Sequence, residues 1–307
     1  MWDPGSVPTL AYAGAHLRHG EWERFSLRIG REVLDLGQVG VIWLRRPTDT
    51  HAPASCPDEG IRELVDVETS WLLRGMWALM HVPWVNHPDR GRIASYKPLQ
   101  LSIAAQVGLS VPRTYVGNDP DQVRNLASSC PNGVVVKTLQ HPFISNRNKL
   151  EKILYTSRVS NAELEDDAAV SCCPSIWQEA IPKLTEIRVT VVGREVFGVE
   201  IDSQSGESGL PDWRMSATLE HRPYDMPNTL KQQCTELTRR MKLHFGAIDL
   251  ILTPQQEYVF LEINPFGQWA WLQENCDIPI AEAHCRLFRS LVDGDDGMVP
   301  RGSSLVL

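Results

Sequence analysis

One stretch constrains the fold more than any other: "AIDLILTPQQEYVFLEIN", Ala247 to Asn264. Two apolar runs flank a short polar segment, a pattern that predicts a β-hairpin. Yet Asp249 lies inside the first run, and Glu262 and Asn264 near the end of the second. Side chains alternate along a strand, so Glu262 and Asn264 project to one side. A four-residue loop from Pro254 to Glu257 would pair Thr253 with Tyr258 and set Asp249 opposite Glu262. Cross-strand partners have Cβ atoms about 4.5–5.5 Å apart, so one face would carry Asp249, Glu262 and Asn264 together. Two carboxylates that close repel, and a cation relieves the repulsion. Magnesium takes hard oxygen ligands, usually one or two carboxylates plus substrate phosphates. The expected occupant is magnesium, and with it a nucleotide. The plain alternative is a solvent-facing hairpin side whose acids are simply hydrated. The neighbours Ile248, Leu250, Phe260 and Leu261 make the strands look buried, where idle acids are costly.

A nucleotide needs positive partners, and no G-x-x-x-x-G-K-[ST] or helix-opening G-x-G-x-x-G supplies them. The candidates are Lys97, after "GRIASY", and Lys137, which ends the β-branched run "VVVK". Arg188 alternates with Val189 and Val191 in "TEIRVTVV", an expensive place for a guanidinium without a partner. Its structural alternative is an ion pair with Glu186 or Glu200. Arg214, in "PDWR", is the second candidate arginine. No H-E-x-x-H or G-x-S-x-G occurs, and the 9 histidines are scattered. Trp269 and Trp271 could stack on a ligand, though core packing is their default.

The remaining bounds are ordinary. A chain of 307 residues suggests two domains at ~100–200 residues each. A net charge of −8 argues against non-specific nucleic-acid binding, because the phosphate backbone rewards a basic surface. No apolar run reaches the ~18 residues of a membrane span, and no secretory leader opens the chain. The 7 cysteines form no C-x-x-C pair, so neither a disulfide framework nor a zinc cluster is indicated, and free thiols in a cytoplasmic setting are expected. The tail 296–307 contains "VPRGS", similar to a protease site used to remove tags, and is set apart from the fold.

Along the chain, "FSLRIGREVLDL" predicts a hairpin around Gly30, and Val39 to Leu44 a buried strand. Helical spacing runs from Ile61 to Met80. "WVNHPDRGR" reads as loop, with a helix from about Ile93 to Gly108. Asp119 and Pro120 start another helix. "VVVK" and "SIWQEAIP" predict strands, Glu163 to Ala169 a loop, and "TEIRVTVVGREVFGVEIDS" two strands joined at Gly193-Arg194. Ser203 to Pro227 has no period and reads as one long loop. Helices follow from Asn228 to Phe245 and from Pro279 to Val292. Helices and strands mix without strict alternation, which predicts an α+β fold with mainly antiparallel sheets and a boundary near Pro112.

Taken together, "VIWLRRP", "WVNHPDRGRIASYKPLQLSIAAQVGLSVPRTYVGNDP", "VVVKTL", "WQEAIPKLTEIRVTVVGREVFGVEIDSQ", "DWR" and "AIDLIL…YVFLEINPFGQWAWL" resemble the ATP-grasp superfamily, and most closely its microviridin- and graspetide-type peptide maturases. The resemblance implies ATP and magnesium, with the nucleotide between two α+β lobes. It implies an N-terminal domain over 1–110, a central subdomain over 111–182 and a C-terminal one over 183–295. Lys97 and Lys137 would contact phosphates. Gln178, Glu179 and Ile181 would line the adenine, and Glu186 would lie near the ribose. Asp249, Glu262 and Asn264 would hold magnesium, and Arg188 and Arg214 would meet phosphate and substrate carboxylate. Glu200 and Asp202 lie on strands resembling those that contact a precursor's leader. The implied reaction activates Asp or Glu side chains of a ribosomal precursor peptide as acyl phosphates. Ser, Thr or Lys then closes ω-ester or ω-amide rings. Related maturases often look dimeric, which makes a homodimer an expectation. The sequence departs from the pattern at its start, where the residues before Phe25 do not read as the usual strand–helix–strand unit. A shortened N-terminal domain is therefore expected. The alternatives are a ligase joining free amino acids or small peptides, and a peptide-binding module without catalysis.

Overall fold

The computed structural model describes residues 2–45, 47–140, 143–145, 151–204 and 219–294. Contacts within the chain divide it into two units. One runs to His87 and resumes at Phe288; the other is Pro88–Leu287.

The first unit holds a three-stranded antiparallel sheet of β1 (Ala11–Arg18), β2 (Glu21–Ile29) and β3 (Glu32–Asp35). The β2–β3 hairpin turns at Gly30, whose φ of 57° suits glycine. β1 was not legible in the sequence, because its alanines and glycine give little apolar alternation. The long helix α1 (Glu59–Leu79) is capped by Asp58, whose Oδ1 accepts from Ile61 N at 2.8 Å. Its Leu73 and Met76 pack in cores with Leu27, Phe25 and Trp84. The expected buried strand at Val39–Leu44 shrinks to β4 (Ile42–Trp43), parallel to β5 (Trp84–Val85), and Trp43 is 39% exposed. Tertiary packing overrode local β propensity there.

The second unit opens with α2 (Pro88–Ala94) and α3 (Lys97–Gln106). One helix was expected from Ile93, but Pro98 breaks the run and Lys97 becomes the first residue of α3. A four-stranded sheet follows, ordered β10-β7-β11-β6, from β6 (Thr114–Gly117), β7 (Val134–Lys137), β10 (Ser157–Arg158) and β11 (Ser175–Glu179). A separate pair, β8 (Phe143–Ser145) and β9 (Glu151–Ile153), lies between β7 and β10 in sequence. Helix α4 (Pro120–Ser128) starts at its Asp119 cap as expected, and its Val123 packs with Val134 and Trp177. The acidic stretch expected as loop instead forms α5 (Asn161–Leu164) and α6 (Asp167–Cys172). Ser160 and Glu163 cap each other reciprocally, and Asp166 caps α6.

The larger sheet is ordered β14-β13-β12-β15-β16, built from β12 (Thr185–Val192), β13 (Glu195–Ile201), β14 (His221–Tyr224), β15 (Phe245–Leu252) and β16 (Tyr258–Asn264). The strand β14 corrects the expectation of one uninterrupted loop from Ser203 to Pro227. Pro223 hid it, since proline is tolerated in a strand only at an edge such as this one. Helix α7 (Asn228–Arg240) ends earlier than expected, because Lys242 takes a φ of 57° before β15 begins. Helices α8 (Ala270–Cys276) and α9 (Ile280–Asp293) complete the chain, α8 having gone unread in the sequence. Ile187, Val189, Ile248, Leu250, Phe260 and Ile263 share one sheet face and pack against Leu99, Leu230 and Leu237 of α3 and α7. Each fully buried aliphatic or aromatic side chain contributes about 1.5–3 kcal/mol, so this face anchors the sheet. The opposite face is left for the polar residues.

Candidate active site on the large sheet

The β15–β16 register brings the acids together by a route the sequence did not reveal. The strands pair as Leu252↔Tyr258 and Leu250↔Phe260, one residue out from the Thr253–Tyr258 pairing expected. Leu261 is then an extra, unpaired residue, a β-bulge that restores the register. Asp249 therefore does pair with Glu262, and Ala247 with Asn264. On the other side of β15, Arg188 pairs with Asp249. One row crosses the sheet as Val199, Arg188, Asp249, Glu262. By alternation Glu186, Thr190 and Asn264 project to this same face.

The face is polar, buried at Arg188 and Asp249, half-buried at Glu262 and exposed at Asn264. Arg188 and Asp249 are each 6% exposed, and Arg188 Nη1 donates to Asp249 Oδ1 at 2.6 Å. Arg188 does not pair with Glu186 or Glu200, the structural alternative considered for it. Lys97, from the start of α3, donates to Glu262 Oε2 at 2.6 Å. Lys183, which sequence reasoning missed, donates to Glu186 Oε1 at 2.9 Å. Burial pushes the Glu186 carboxyl above its ordinary value; Lys183 opposes that shift and Asp249 adds to it. Arg188 Nε and Thr190 Oγ1 are buried with no hydrogen-bond partner among the described residues. Buried polar atoms of that kind call for a water or a ligand. Asp249 is too buried to be a hydrated, solvent-facing acid, whereas Glu262 is half-buried and Asn264 exposed.

After β16, Asn264 Oδ1 accepts from Phe266 N at 2.9 Å, which turns the chain back over the row. Gly267 is needed there: a Cβ would lie 2.4 Å from Ala247 Cβ and 2.9 Å from Arg188 Nη2. Trp269 stacks on His284 at 4.8 Å and is 8% exposed, so it packs in the interior.

On the smaller sheet, Lys137 pairs with Ile176 and Gln178 with Val135, so Lys137 and Gln178 share one face. Gln178 is 2% exposed and donates to Thr114 Oγ1 at 3.0 Å. The Glu179 side chain shares the opposite face with Trp177 and lies 3.9 Å from Arg113 Nε. Ile181 lies on the connection from β11 to β12. Glu200 pairs with Ile187 and so projects to the helix-covered face, away from Arg188. Asp202 lies just past β13, where its N–H donates to Glu220 O at 3.2 Å. Arg214 and the tail 296–307 lie outside the described residues.

Asp249, Glu262 and Asn264 offer two carboxylates and an amide oxygen, the hard donors that magnesium takes alongside phosphates. Among the described residues no group of three or more His, Cys, Asp or Glu could hold a metal by itself. Two carboxylates and one amide oxygen are the donor chemistry of a cation shared with a phosphorylated ligand. The 7 cysteines are free thiols. Among the described residues no helix is long and apolar enough to cross a membrane.

No family model and no curated protein matches the chain. Solved structures do. The macrocyclase MdnC from Microcystis aeruginosa MRC, bound with precursor peptide MdnA, is 30% identical with a TM-score of 0.83, over 95% of this chain and 90% of that one. A RiPP-associated ATP-grasp ligase from Chryseobacterium gregarium, in complex with ADP and a leader and core peptide, is 27% identical with a TM-score of 0.84, over 98% and 89%. The macrocyclase MdnB from Microcystis aeruginosa MRC is 30% identical with a TM-score of 0.75, over 95% and 90%. With that identity held over almost the full length of two macrocyclases, the chain belongs to the ATP-grasp peptide maturases of the graspetide type.

Proposed function

We propose that the protein is an ADP-forming ATP-grasp ligase that closes macrocycles in a ribosomal precursor peptide. The observation that carries the reading is the row Arg188–Asp249–Glu262 on one polar sheet face, with Lys97 on Glu262. Asp249, Glu262 and Asn264 would hold magnesium, which supplies charge neutralisation for the transferring phosphoryl group. Lys97 would exchange Glu262 for a phosphate oxygen, and Lys137 would contact the phosphates from the smaller sheet. Gln178, with the backbone of Glu179 and Ile181, would face the adenine, and Glu186 the ribose. Arg188 and Arg214 would orient phosphate and the substrate carboxylate. We assign these parts to a central lobe over 111–182 and a C-terminal lobe over 183–295, which follow an N-terminal domain over 1–110 in sequence.

An Asp or Glu side chain of the peptide attacks the γ-phosphorus of ATP, and ADP leaves. A Ser or Thr hydroxyl, or a Lys amine, then attacks the acyl carbon. Phosphate departs with the bonding electrons, the nucleophile loses its proton, and an ω-ester or ω-amide forms. Each ring removes one water from the peptide. Little general acid–base machinery is needed, because a carboxylate becomes a good electrophile once phosphorylated. Glu200 and Asp202 are proposed to contact the leader, on the side of the sheet away from the chemistry.

The test uses a short reading frame beside this gene, encoding a peptide rich in Thr, Ser, Asp and Glu near its end. Incubated with the enzyme, ATP and magnesium, that peptide should lose the mass of one water per ring, with matching ADP release. ADP release driven by free amino acids with no peptide present would point to a small-molecule ligase instead.

We also propose a homodimer. Ile61, Leu64, Trp71, Leu72 and Leu79 of α1 are exposed along one side, with Trp71 at 70%. Nothing lies within 4 Å of the Cβ position of Gly75, one turn from Trp71. A second copy packed antiparallel about Trp71–Leu72 would set Leu64 against the partner's Leu79, a self-complementary contact of the isologous kind.

A further inference from the structure

Gln100 is 1% exposed, and its amide is fully engaged with backbone. Nε2 donates to Ala94 O at 2.7 Å and to Ile263 O at 2.8 Å, and Oε1 accepts from Ile263 N at 3.2 Å. β16 is the outer strand of its sheet. On that edge the Gln100 side chain supplies the donor and acceptor that a sixth strand would otherwise present to Ile263. Ile263 sits between Glu262 and Asn264, whose side chains lie on the polar face while its own is buried in the core. One turn earlier on the same helix, Lys97 reaches Glu262 at 2.6 Å. α3 therefore grips this short segment twice, through its backbone and through its carboxylate. Strand ends fray, and a bulge at Leu261 immediately upstream removes one ladder pairing. Without the amide, β15 alone would hold the segment's backbone.

We propose that Gln100 is a positioning residue for the metal site: it fixes the Glu262–Ile263–Asn264 backbone so that both side chains aim at one cation. It touches neither cation nor nucleotide and acts only through β16. A glutamine suits the position because it alone brings a donor and an acceptor at this length without charge. Asparagine is one methylene too short, and a carboxylate would lose both donated bonds. The inference rests on the site reading given under the proposed function.

The test is calorimetric titration of the full chain with ADP as probe, in magnesium and in EDTA, well below the melting transition. Wild type should bind ADP more tightly with magnesium. Gln100→Met should lose about 10-fold or more of that tightening, as loss of an orienting contact does at metal sites, with ADP affinity in EDTA unchanged. A merely structural Gln100 would lower the melting temperature and leave the magnesium effect intact, and that result overturns the inference. Should Gln100→Met not fold, Gln100→Glu, which keeps the acceptor for Ile263 N, carries the same comparison. A wild type with no magnesium-dependent tightening overturns the site reading itself, and the role of Gln100 with it.

Discussion

At position 188 a guanidinium lies 2.6 Å from the Asp249 carboxylate, with both groups almost fully buried. Burying two ions costs several kcal/mol each, so stability alone is a weak reason to keep them. Arg188→Met should destabilise the protein by about 3–5 kcal/mol, because Asp249 then loses its guanidinium inside the sheet. The double variant with Asp249→Asn should recover most of that loss while remaining inactive. Urea unfolding of the four proteins of this cycle measures both effects; an undiminished loss in the double variant would contradict them. Glu186 gives a pH-dependent expectation. Its folded-state value is raised above 4.5 by burial, so the native state keeps a proton that the unfolded chain has released. Its contribution to stability is therefore full below the ordinary carboxylate range and is lost as pH rises through the raised value. Relative to wild type, Glu186→Gln should gain melting temperature as pH rises above the ordinary carboxylate range. A flat difference would show that Glu186 is not shifted. At this scale the sequence was legible where polar residues interrupt apolar runs, as Arg188 and Asp249 do. Gln100 and Lys183 escaped because nothing in a lone glutamine or lysine distinguishes a buried partner from a solvated one.

Among the elements, the β15–β16 hairpin combines two irregularities that cancel. Its loop begins one residue earlier than the simple reading, and the bulge at Leu261 adds one residue on the opposite strand. Alternation and loop length therefore gave the right partners for Asp249 without locating either feature. Bulges leave no compositional mark at a leucine, which is why this one could not be read. Inside the turn, Gln256 is held at a φ of 63°. The left-handed region costs a residue with a Cβ about 1–2 kcal/mol, and glycine gives back about 0.5–1 kcal/mol in chain entropy. Gln256→Gly should thus stabilise the protein by up to about 1.5 kcal/mol without altering activity. Chemical denaturation checks it, and a destabilised variant would show that the turn is not strained. The same limits explain β14, hidden by Pro223, and β1, hidden by its small residues. Strongly marked elements such as α4, with Asp119 and Pro120 at its start, were fully legible.

For the whole molecule, composition and patterning gave the α+β class, and the quoted motifs gave the family. The division after His87 was not visible, because the boundary expected near Pro112 was placed on a turn signal rather than on packing. The outward apolar side of α1 bears on assembly. Sedimentation of wild type should give a dimer, and Trp71→Glu should shift it to monomer with the fold intact. A wild type that stays monomeric at high concentration would remove the dimer proposal and leave the chemistry untouched. The most direct measurement concerns the metal row itself: a crystal structure with ADP and manganese, read by anomalous scattering. The expected result is one manganese peak bonded to Asp249, Glu262 and Asn264, with Lys97 moved from Glu262 to a phosphate oxygen. A nucleotide bound elsewhere, or Lys97 still on Glu262 with no metal between the three side chains, would contradict the proposed site.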